Sequence, residues 1–133
     1  MKRKYILYVD DDELPVLLTA GILRQFGHRI QGITQWKNAI VIFQRKSAAF
    51  DLVVADMYMP GITGIELAMQ LRQIRPNVRI VLCTGRLTDE VKVQAQNAGI
   101  EEVVSKPDSP QHLAAAIHQL VMIHQSFPLI RLS

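Results

Sequence analysis

The sequence predicts an α/β protein in which a parallel sheet carries helices on both faces. Short apolar runs rich in β-branched residues recur along the chain, and each is followed by a segment with helical spacing. The clearest run, Leu52 to Ala55, is apolar at every position, which is typical of a strand buried on both faces. Repeated strand–helix units with short connections favour parallel strands, because the helices then serve as crossovers.

Length and composition fit one globular domain. The 133 residues are 49% hydrophobic and carry a net charge of +3. The only basic run is at residues 2–4, and the sequence shows no basic helix face interleaved with aromatic residues, so we expect no direct nucleic-acid partner. The single cysteine, Cys83, excludes a disulfide framework. The first apolar run is too short for a signal or membrane segment, so we expect a cytoplasmic protein with no membrane partner.

The first unit begins with the apolar run from Tyr5 to Val9. A helix is predicted next, because apolar residues recur at helical spacing until a glycine: Leu14, Leu17, Leu18, Ile22 and Phe26. Asp12 and Glu13 have a structural explanation as the N-cap and first-turn residues of this helix. Asp10 and Asp11 are left at the carboxyl end of the strand.

The second and third units repeat this plan. Residues 28–33 predict a short, less apolar strand at an edge, and Thr34 can cap a helix that runs to about residue 46. The third strand ends on Asp56. A capping box from Thr63 to Glu66 then opens the third helix.

The last two units complete the predicted domain. Residues 78–83 form a buried strand, followed by a helix over residues 88–97, and residues 103–104 form a short fifth strand. Ser109 caps the last helix, which has an apolar face of Leu113, Ile117 and Leu120. We expect one domain over residues 1–124 and a short C-terminal tail, 125–133, with no output domain.

Polar residues follow four of the five predicted strands: Asp10 and Asp11, Asp56, Thr84 and Lys106. The carboxyl ends of parallel strands share one edge of the sheet, where such folds bind ligands. Carboxylates ~4 Å apart repel by about 4 kcal/mol per pair at an effective dielectric near 20. A hard divalent cation would offset this repulsion, which predicts Mg²⁺, with Mn²⁺ as a possible substitute. Together with a hydroxyl and a lysine, the acids suit phosphoryl transfer to an aspartate.

Four motifs together resemble the receiver domain of two-component response regulators. They are Val9-Asp10-Asp11, Asp56-Met57-Tyr58-Met59-Pro60-Gly61, Leu82-Cys83-Thr84-Gly85 and Ser105-Lys106-Pro107, and the match runs from about residue 4 to residue 122. Each motif is weak alone, but all four occur in order and each follows an apolar strand. The resemblance implies a flavodoxin-like, doubly wound, five-stranded parallel sheet of order 2-1-3-4-5. It also implies a signalling domain that catalyses only its own phosphorylation and dephosphorylation, not a classical enzyme.

The resemblance assigns roles to the acids. Asp56 would be the phosphoacceptor, and the donor would be a sensor histidine kinase or a histidine phosphotransfer protein. Asp11 and Asp56 would ligate Mg²⁺ directly, Asp10 would do so through water, and the backbone carbonyl of Tyr58 would complete the protein ligands. A homodimer or an effector would use the face formed by the fourth helix, fifth strand and fifth helix.

The other site residues would form the switch. Thr84 would bond the phosphoryl oxygen after a conformational shift. Lys106 would pair first with Asp56 and later with the phosphate, and Pro107 would follow a cis peptide bond.

The tuning positions include one departure from the family. Tyr58 and Arg86 would tune the phosphate lifetime, and Gly85 would make its loop pliable. Val103 stands where receivers often carry an aromatic residue or histidine, and its short, stiff side chain cannot swing as such a ring does. We therefore expect the signal to pass through residues 84–87 into the fourth helix.

Two other functions use similar residues. A phosphatase of the haloacid dehalogenase type needs a second Asp two residues after its nucleophile, where this chain has Tyr58. A non-phosphorylated pseudo-receiver that acts as an interaction scaffold usually lacks one of the acids or the lysine, and all are present here. The four histidines have no metal-ligand spacing, so we expect them on the surface or on helix faces: His28, His112, His118 and His124.

Overall fold

The computed structural model describes residues 3–126, with side chains to residue 123. Its main sheet has five parallel strands: β1 (Tyr5–Val9), β2 (Arg29–Ile33), β3 (Leu52–Asp56), β4 (Ile80–Thr84) and β5 (Glu102–Ser105). Their spatial order is β2-β1-β3-β4-β5. The predicted flavodoxin-like sheet is therefore confirmed. Residues 127–133, most of the predicted tail, lie outside the described part of the chain.

Five α-helices cover the two faces of the sheet: α1 (Glu13–Gln25), α2 (Trp36–Lys46), α3 (Gly64–Ile74), α4 (Asp89–Asn97) and α5 (Pro110–Ser126). Helices α1 and α5 pack on one face, and α2, α3 and α4 pack on the other. Successive residues of a strand point to opposite faces of the sheet. Ile6 and Tyr8 therefore belong to the core under α1 and α5, and Leu7 and Val9 belong to the core under α2, α3 and α4. A 3₁₀ turn (Ser47–Ala49) and a small hairpin (Tyr58–Met59 with Ile62–Thr63) were not predicted.

Local capping explains where several helices begin. The predicted capping box is present, since Glu66 N–H donates to Thr63 Oγ1 at 3.1 Å and Thr63 N–H donates to Glu66 Oε1 at 2.9 Å. Ser109 Oγ accepts from the backbone N–H of His112 at 3.2 Å, as its predicted cap role requires. Asp12 occupies the N-cap position of α1 without a side-chain cap bond, and α2 is preceded by Gln35, not capped by Thr34.

The start of α3 lies directly against the end of β3. A Cβ atom on Gly64 would stand 2.6 Å from the carbonyl oxygen of Asp56 and 2.9 Å from the Leu82 side chain. Only glycine permits this approach. The backbone after Asp56 is thereby fixed close to the sheet, which holds the predicted phosphoacceptor at the edge.

Helix α1 turns the opposite face inward from the one its leucine spacing indicates. Leu14, Leu17 and Leu18 are 60%, 62% and 45% exposed, whereas the buried residues are Val16, Thr19, Ala20 and Leu23. The helix carries two apolar stripes, and the one with smaller side chains packs against the sheet and α5. The buried stripe includes a threonine and is therefore less apolar in the sequence than the leucine stripe. The outer leucines form an exposed apolar surface.

His28 does not lie on the surface as predicted. It is 2% exposed at the start of β2 and its Nε2 lies 2.9 Å from Nδ1 of His118 on α5. The backbone N–H of Lys4 donates to His28 Nδ1 at 3.4 Å. The ring is buried where β1, β2 and α5 meet, which is a structural role. His124 is among the residues whose side chains are not described.

Within residues 3–126, no helix is both long enough and apolar enough to span a bilayer.

Candidate functional site

The three predicted acids come together at the carboxyl edge of the sheet. Asp10 follows β1 directly and Asp56 is the last residue of β3, and these strands are neighbours. One carboxylate oxygen from each of Asp10, Asp11 and Asp56 lies within 4.8 Å of the others. Asp10 is buried, Asp56 is partly buried and Asp11 is exposed, so the cluster opens to solvent on one side.

Lys106 brings the positive charge to this cluster. Its backbone N–H donates to the carbonyl oxygen of Thr84 at 2.7 Å, which fixes the segment after β5 beside the end of β4. The ammonium donates a hydrogen bond to Asp10 Oδ2 and lies 3.8 Å from Asp56 Oδ2. The side chain therefore bridges two carboxylates, and its hydrogen bond goes to Asp10, whereas the resemblance implied a pairing with Asp56.

One lysine does not balance three carboxylates. Burial raises the pKa of Asp56 to about 6, the charges of Asp10 and Asp11 add to that shift, and Lys106 opposes it. Burial works to lower the pKa of Lys106, but its hydrogen bond to Asp10 and the nearby carboxylates outweigh burial and raise it. The site thus holds uncompensated negative charge, which favours a cationic ligand.

Thr84 is fully buried and its hydroxyl is turned into its own loop. Oγ1 donates to the carbonyl oxygen of Arg86 at 3.2 Å and accepts from the Arg86 N–H at 3.3 Å. A Cβ atom on Gly85 would meet nothing within 4 Å, so this turn is open to solvent. The hydroxyl would have to leave Arg86 in order to reach a group on Asp56.

The predicted tuning residues lie in two different environments. Tyr58 is 58% exposed in the small hairpin, and it lines a cleft of about 300 Å³ together with Arg86 and residues of α4. Val103 is partly buried against the core beneath α4 and makes no approach to the acids that the contacts record. Val103 therefore acts as a packing residue of that core.

The prediction of a cis peptide bond before Pro107 is wrong. The Lys106–Pro107 bond is trans, as are the peptide bonds throughout the described part of the chain. The trans form of an X–Pro bond is favoured by about 0.5–1 kcal/mol, and the local sequence does not specify the isomer.

Tyr8 is a site residue that the sequence interpretation missed. The sequence places Tyr8 in an apolar strand, but its hydroxyl donates to Asp10 Oδ2 at 3.1 Å. The backbone N–H of Asp12 donates to the other oxygen, Oδ1, at 3.1 Å. The sequence spacing could have indicated this contact. Residues two apart on a strand point to the same face, and Tyr8 precedes Asp10 by two positions.

The donor set suits a hard cation. Three carboxylates contribute oxygen atoms only, as Mg²⁺ prefers, and no nitrogen or sulfur ligand joins the cluster among the described residues. The buried thiol of Cys83, beneath the site, has its pKa raised to about 12 by burial, so it behaves as a core side chain.

The fold and the acidic site at its carboxyl edge are those of a signalling module. Residues 6–118 match the family model described as the response regulator receiver domain. The chain therefore belongs to the response regulator receiver family. Receiver domains act as signalling modules, generally bind Mg²⁺ at an acidic pocket, and interact with histidine kinases or phosphotransfer proteins.

Relatives of known name differ in how much of their length the chain spans. The chemotaxis protein CheY of Thermotoga maritima is 25% identical over 118 residues, which cover 88% of this chain and 97% of that protein. The sensory transduction protein RegX3 of Mycobacterium tuberculosis is 31% identical, with 87% of this chain and 50% of that protein covered. The chain thus spans about half of that relative's length.

Solved structures show the same fold. A CheY-like receiver domain protein from Methanospirillum hungatei superposes with a TM-score of 0.78 at 26% identity, covering 94% of this chain and 98% of that one. A receiver domain protein from Clostridium thermocellum also gives 0.78, at 22% identity, with coverage of 93% and 98%.

Proposed function

We propose that this receiver domain takes a phosphoryl group from a histidine kinase or a phosphotransfer histidine onto Asp56 in a Mg²⁺-dependent reaction. Phosphorylation then switches a protein-interaction surface. The observation that supports this proposal is the cluster of Asp10, Asp11 and Asp56 within 4.8 Å, with Lys106 between two of them.

The chemistry needs a nucleophile and compensation for charge. A carboxylate oxygen of Asp56 attacks phosphorus, an O–P bond forms, and the P–N bond of the phosphohistidine breaks with its electron pair going to the imidazole nitrogen. Lys106 already lies 3.8 Å from Asp56 Oδ2, close enough to turn from Asp10 to the new phosphoryl oxygens. Thr84 supplies a hydroxyl donor once it leaves the carbonyl of Arg86.

Mg²⁺ held by this cluster would neutralise charge that develops on the phosphoryl oxygens. Asp11 and Asp56 would bind it directly, Asp10 would bind it through water, and the Tyr58 carbonyl would complete the protein ligands. Mn²⁺ would be an acceptable substitute, because it accepts the same oxygen ligands.

The direct test is intact mass spectrometry after incubation with acetyl phosphate, a small phosphodonor. We expect one added phosphoryl group that requires Mg²⁺ and is absent from Asp56→Asn. Asp51→Asn is the matched control, since Asp51 accepts a hydrogen bond from Tyr5 N–H at the other end of the sheet. A phosphoryl group on Asp56→Asn, or one formed in EDTA, would sink the assignment. No phosphorylation of the wild type would favour the pseudo-receiver alternative.

We also propose separate surfaces for the donor and for output. The exposed leucines of α1 begin three residues after Asp11, so a donor helix seated there would present its phosphohistidine to Asp56. The face of α4, β5 and α5 would carry output or dimerisation, and it exposes Lys92 and Gln94.

The two surfaces can be separated by mutation. Leu17→Glu should slow transfer from a phosphorylated histidine phosphotransfer domain and leave the reaction with acetyl phosphate intact. Lys92→Glu should instead disturb phosphorylation-dependent association. If the two variants exchange these effects, the surfaces have been assigned the wrong way round.

A further inference from the structure

Tyr8 places a buried hydroxyl under the acidic cluster, and this hydroxyl holds one oxygen of Asp10. We propose that Tyr8 is a specificity-determining residue that favours Mg²⁺ over Ca²⁺, because it leaves Asp10 only one oxygen to offer a cation. This inference rests on the proposed function, since it requires a divalent ion at the three aspartates.

The bonding capacity of Asp10 is nearly filled by the protein. A carboxylate has about four lone-pair positions, two on each oxygen. Tyr8 and Lys106 both donate to Oδ2, and the backbone N–H of Asp12 donates to Oδ1. The remaining position is on Oδ1, so Asp10 is arranged to face a cation, or a water bound to it, with a single oxygen.

The Tyr8 bond is the one that cannot be released. The residue is 1% exposed, and its ring is packed in the core between the sheet and helices α1 and α5. Lys106 has a second partner, because Asp56 Oδ2 lies 3.8 Å from its ammonium, so that bond can be exchanged. Tyr8 has no recorded hydrogen-bond partner other than Asp10 within the described residues, so a rotation away from Asp10 would leave the hydroxyl buried without one.

The two cations differ in what they ask of a carboxylate. Mg²⁺ requires near-octahedral geometry and binds through few carboxylates while it keeps several waters. Ca²⁺ takes more oxygen ligands at longer distances and often binds both oxygens of one carboxylate. While Lys106 stays bonded to Oδ2 of Asp10, a Ca²⁺ ion that engaged this oxygen would have to displace the Tyr8 hydroxyl. One hydrogen bond to a charged group corresponds to roughly a 10- to 150-fold weaker binding.

The experiment measures Mg²⁺ and Ca²⁺ dissociation constants by amide chemical shifts in three proteins: wild type, Tyr8→Phe and Tyr5→Phe. Tyr5 is the matched control, because it lies on the same strand and its hydroxyl bonds Lys46 and Gln31, away from the acids. We expect Tyr8→Phe to tighten Ca²⁺ binding by about 10-fold or more, the equivalent of the lost bond, with little change for Mg²⁺. Tyr5→Phe should leave the ratio of the two constants unchanged.

Parallel changes in both constants, or an unchanged ratio in Tyr8→Phe, would overturn the selectivity role and leave Tyr8 as a packing residue. A second measurement needs only the wild type, in case Tyr8→Phe folds poorly. The Tyr8 hydroxyl proton should remain protected from exchange at saturating Mg²⁺, and loss of that protection on Mg²⁺ binding contradicts the proposal. If the wild type accepts phosphate but Tyr8→Phe has the same ratio of Mg²⁺ and Ca²⁺ dissociation constants as the wild type, only this inference fails. A wild type that binds neither ion defeats the proposed function as well.

Discussion

The two edges of the sheet treat charge in opposite ways. At the amino edge, where the strands begin, arginine side chains donate to carbonyl groups of neighbouring loops. At the carboxyl edge, three carboxylates face one lysine. In the first arrangement Arg75 and Arg79 have partners for their charged groups, and the second leaves charge for a ligand to neutralise.

The arginines of the amino edge each join segments that are distant in sequence. Arg75 donates to the carbonyl oxygens of Ser47 and Phe50 at 2.6 and 2.7 Å. Arg79 pairs with Glu102 through Nε at 2.7 Å and donates to the Leu120 carbonyl at 2.8 Å. These contacts tie the loop before β3 and the loop before β4 to their neighbours, and they join the latter to β5 and α5. We therefore expect this edge to change less than the carboxyl edge when a ligand binds.

The contrast between the two edges indicates that the carboxyl edge sacrifices stability of the fold for function. A buried carboxylate with like-charged neighbours destabilises the folded state, and such groups gather at functional sites. The Arg79–Glu102 pair at the amino edge shows that the chain can pair partly buried charges where no ligand is needed. Variants at the two edges should therefore change stability in opposite directions.

The largest effect is expected from Arg79→Met at the amino edge. The Arg79 and Glu102 side chains are 12% and 16% exposed, so the change leaves a partly buried carboxylate without its partner. Such losses cost about 3 kcal/mol or more of unfolding free energy. Urea unfolding is the measurement. Adding Glu102→Leu should recover much of the loss, and phosphorylation by acetyl phosphate should persist in the folded protein. An unchanged free energy of unfolding in Arg79→Met would show that the pair does not stabilise the fold.

Asp56→Asn at the carboxyl edge should have the opposite sign. Because the pKa of Asp56 is raised to about 6, the folded state favours the protonated carboxyl, and ionisation at pH 7 destabilises it. In EDTA at pH 7, we expect the variant to be more stable by about 1–3 kcal/mol. The wild type should approach the variant's stability as the pH falls through 6 towards 4. A destabilised variant at pH 7 would mean that the cluster is already balanced by its surroundings.

Much of the fold and the site followed from the sequence because each rests on a local or topological rule. Apolar runs and helical spacing located the strands and helices, and the shared edge of parallel strands brought Asp10, Asp56 and Lys106 together. The inward face of α1 could not be predicted from the sequence, because two apolar stripes compete and only the packing partner decides between them. The hydroxyl of Tyr8 was overlooked because a tyrosine in an apolar strand is typical of a core.

The contacts of the amino edge had no sequence signal at all. Arg75 binds carbonyl groups at residues 47 and 50, and such groups exist at every position, so only the folded loops select them. The buried histidine pair is similar, since 90 residues separate its members.

The smallest effect is expected from the histidine pair of the amino edge. Burial, His118 and the charge of Lys4 all lower the pKa of His28, so the folded state favours the neutral ring. Its stability contribution is present above the ordinary histidine pKa of about 6.5 and is lost as the pH falls from there towards the lower folded value. Urea unfolding between pH 7.5 and pH 5 should show this loss in the wild type and less of it in His28→Gln. The exposed control His112→Gln should behave as the wild type does.

The most direct test of the contrast between the edges is a map of backbone and methyl chemical shifts with and without beryllofluoride, a phosphoryl mimic. We expect large changes from Thr84 to Val91, because the Thr84 hydroxyl must leave the Arg86 carbonyl, and small changes at the Val103 methyls and in the loops held by Arg75 and Arg79. Large methyl shifts at Val103 with little change over residues 84–91, or changes spread equally over both edges, would contradict this account.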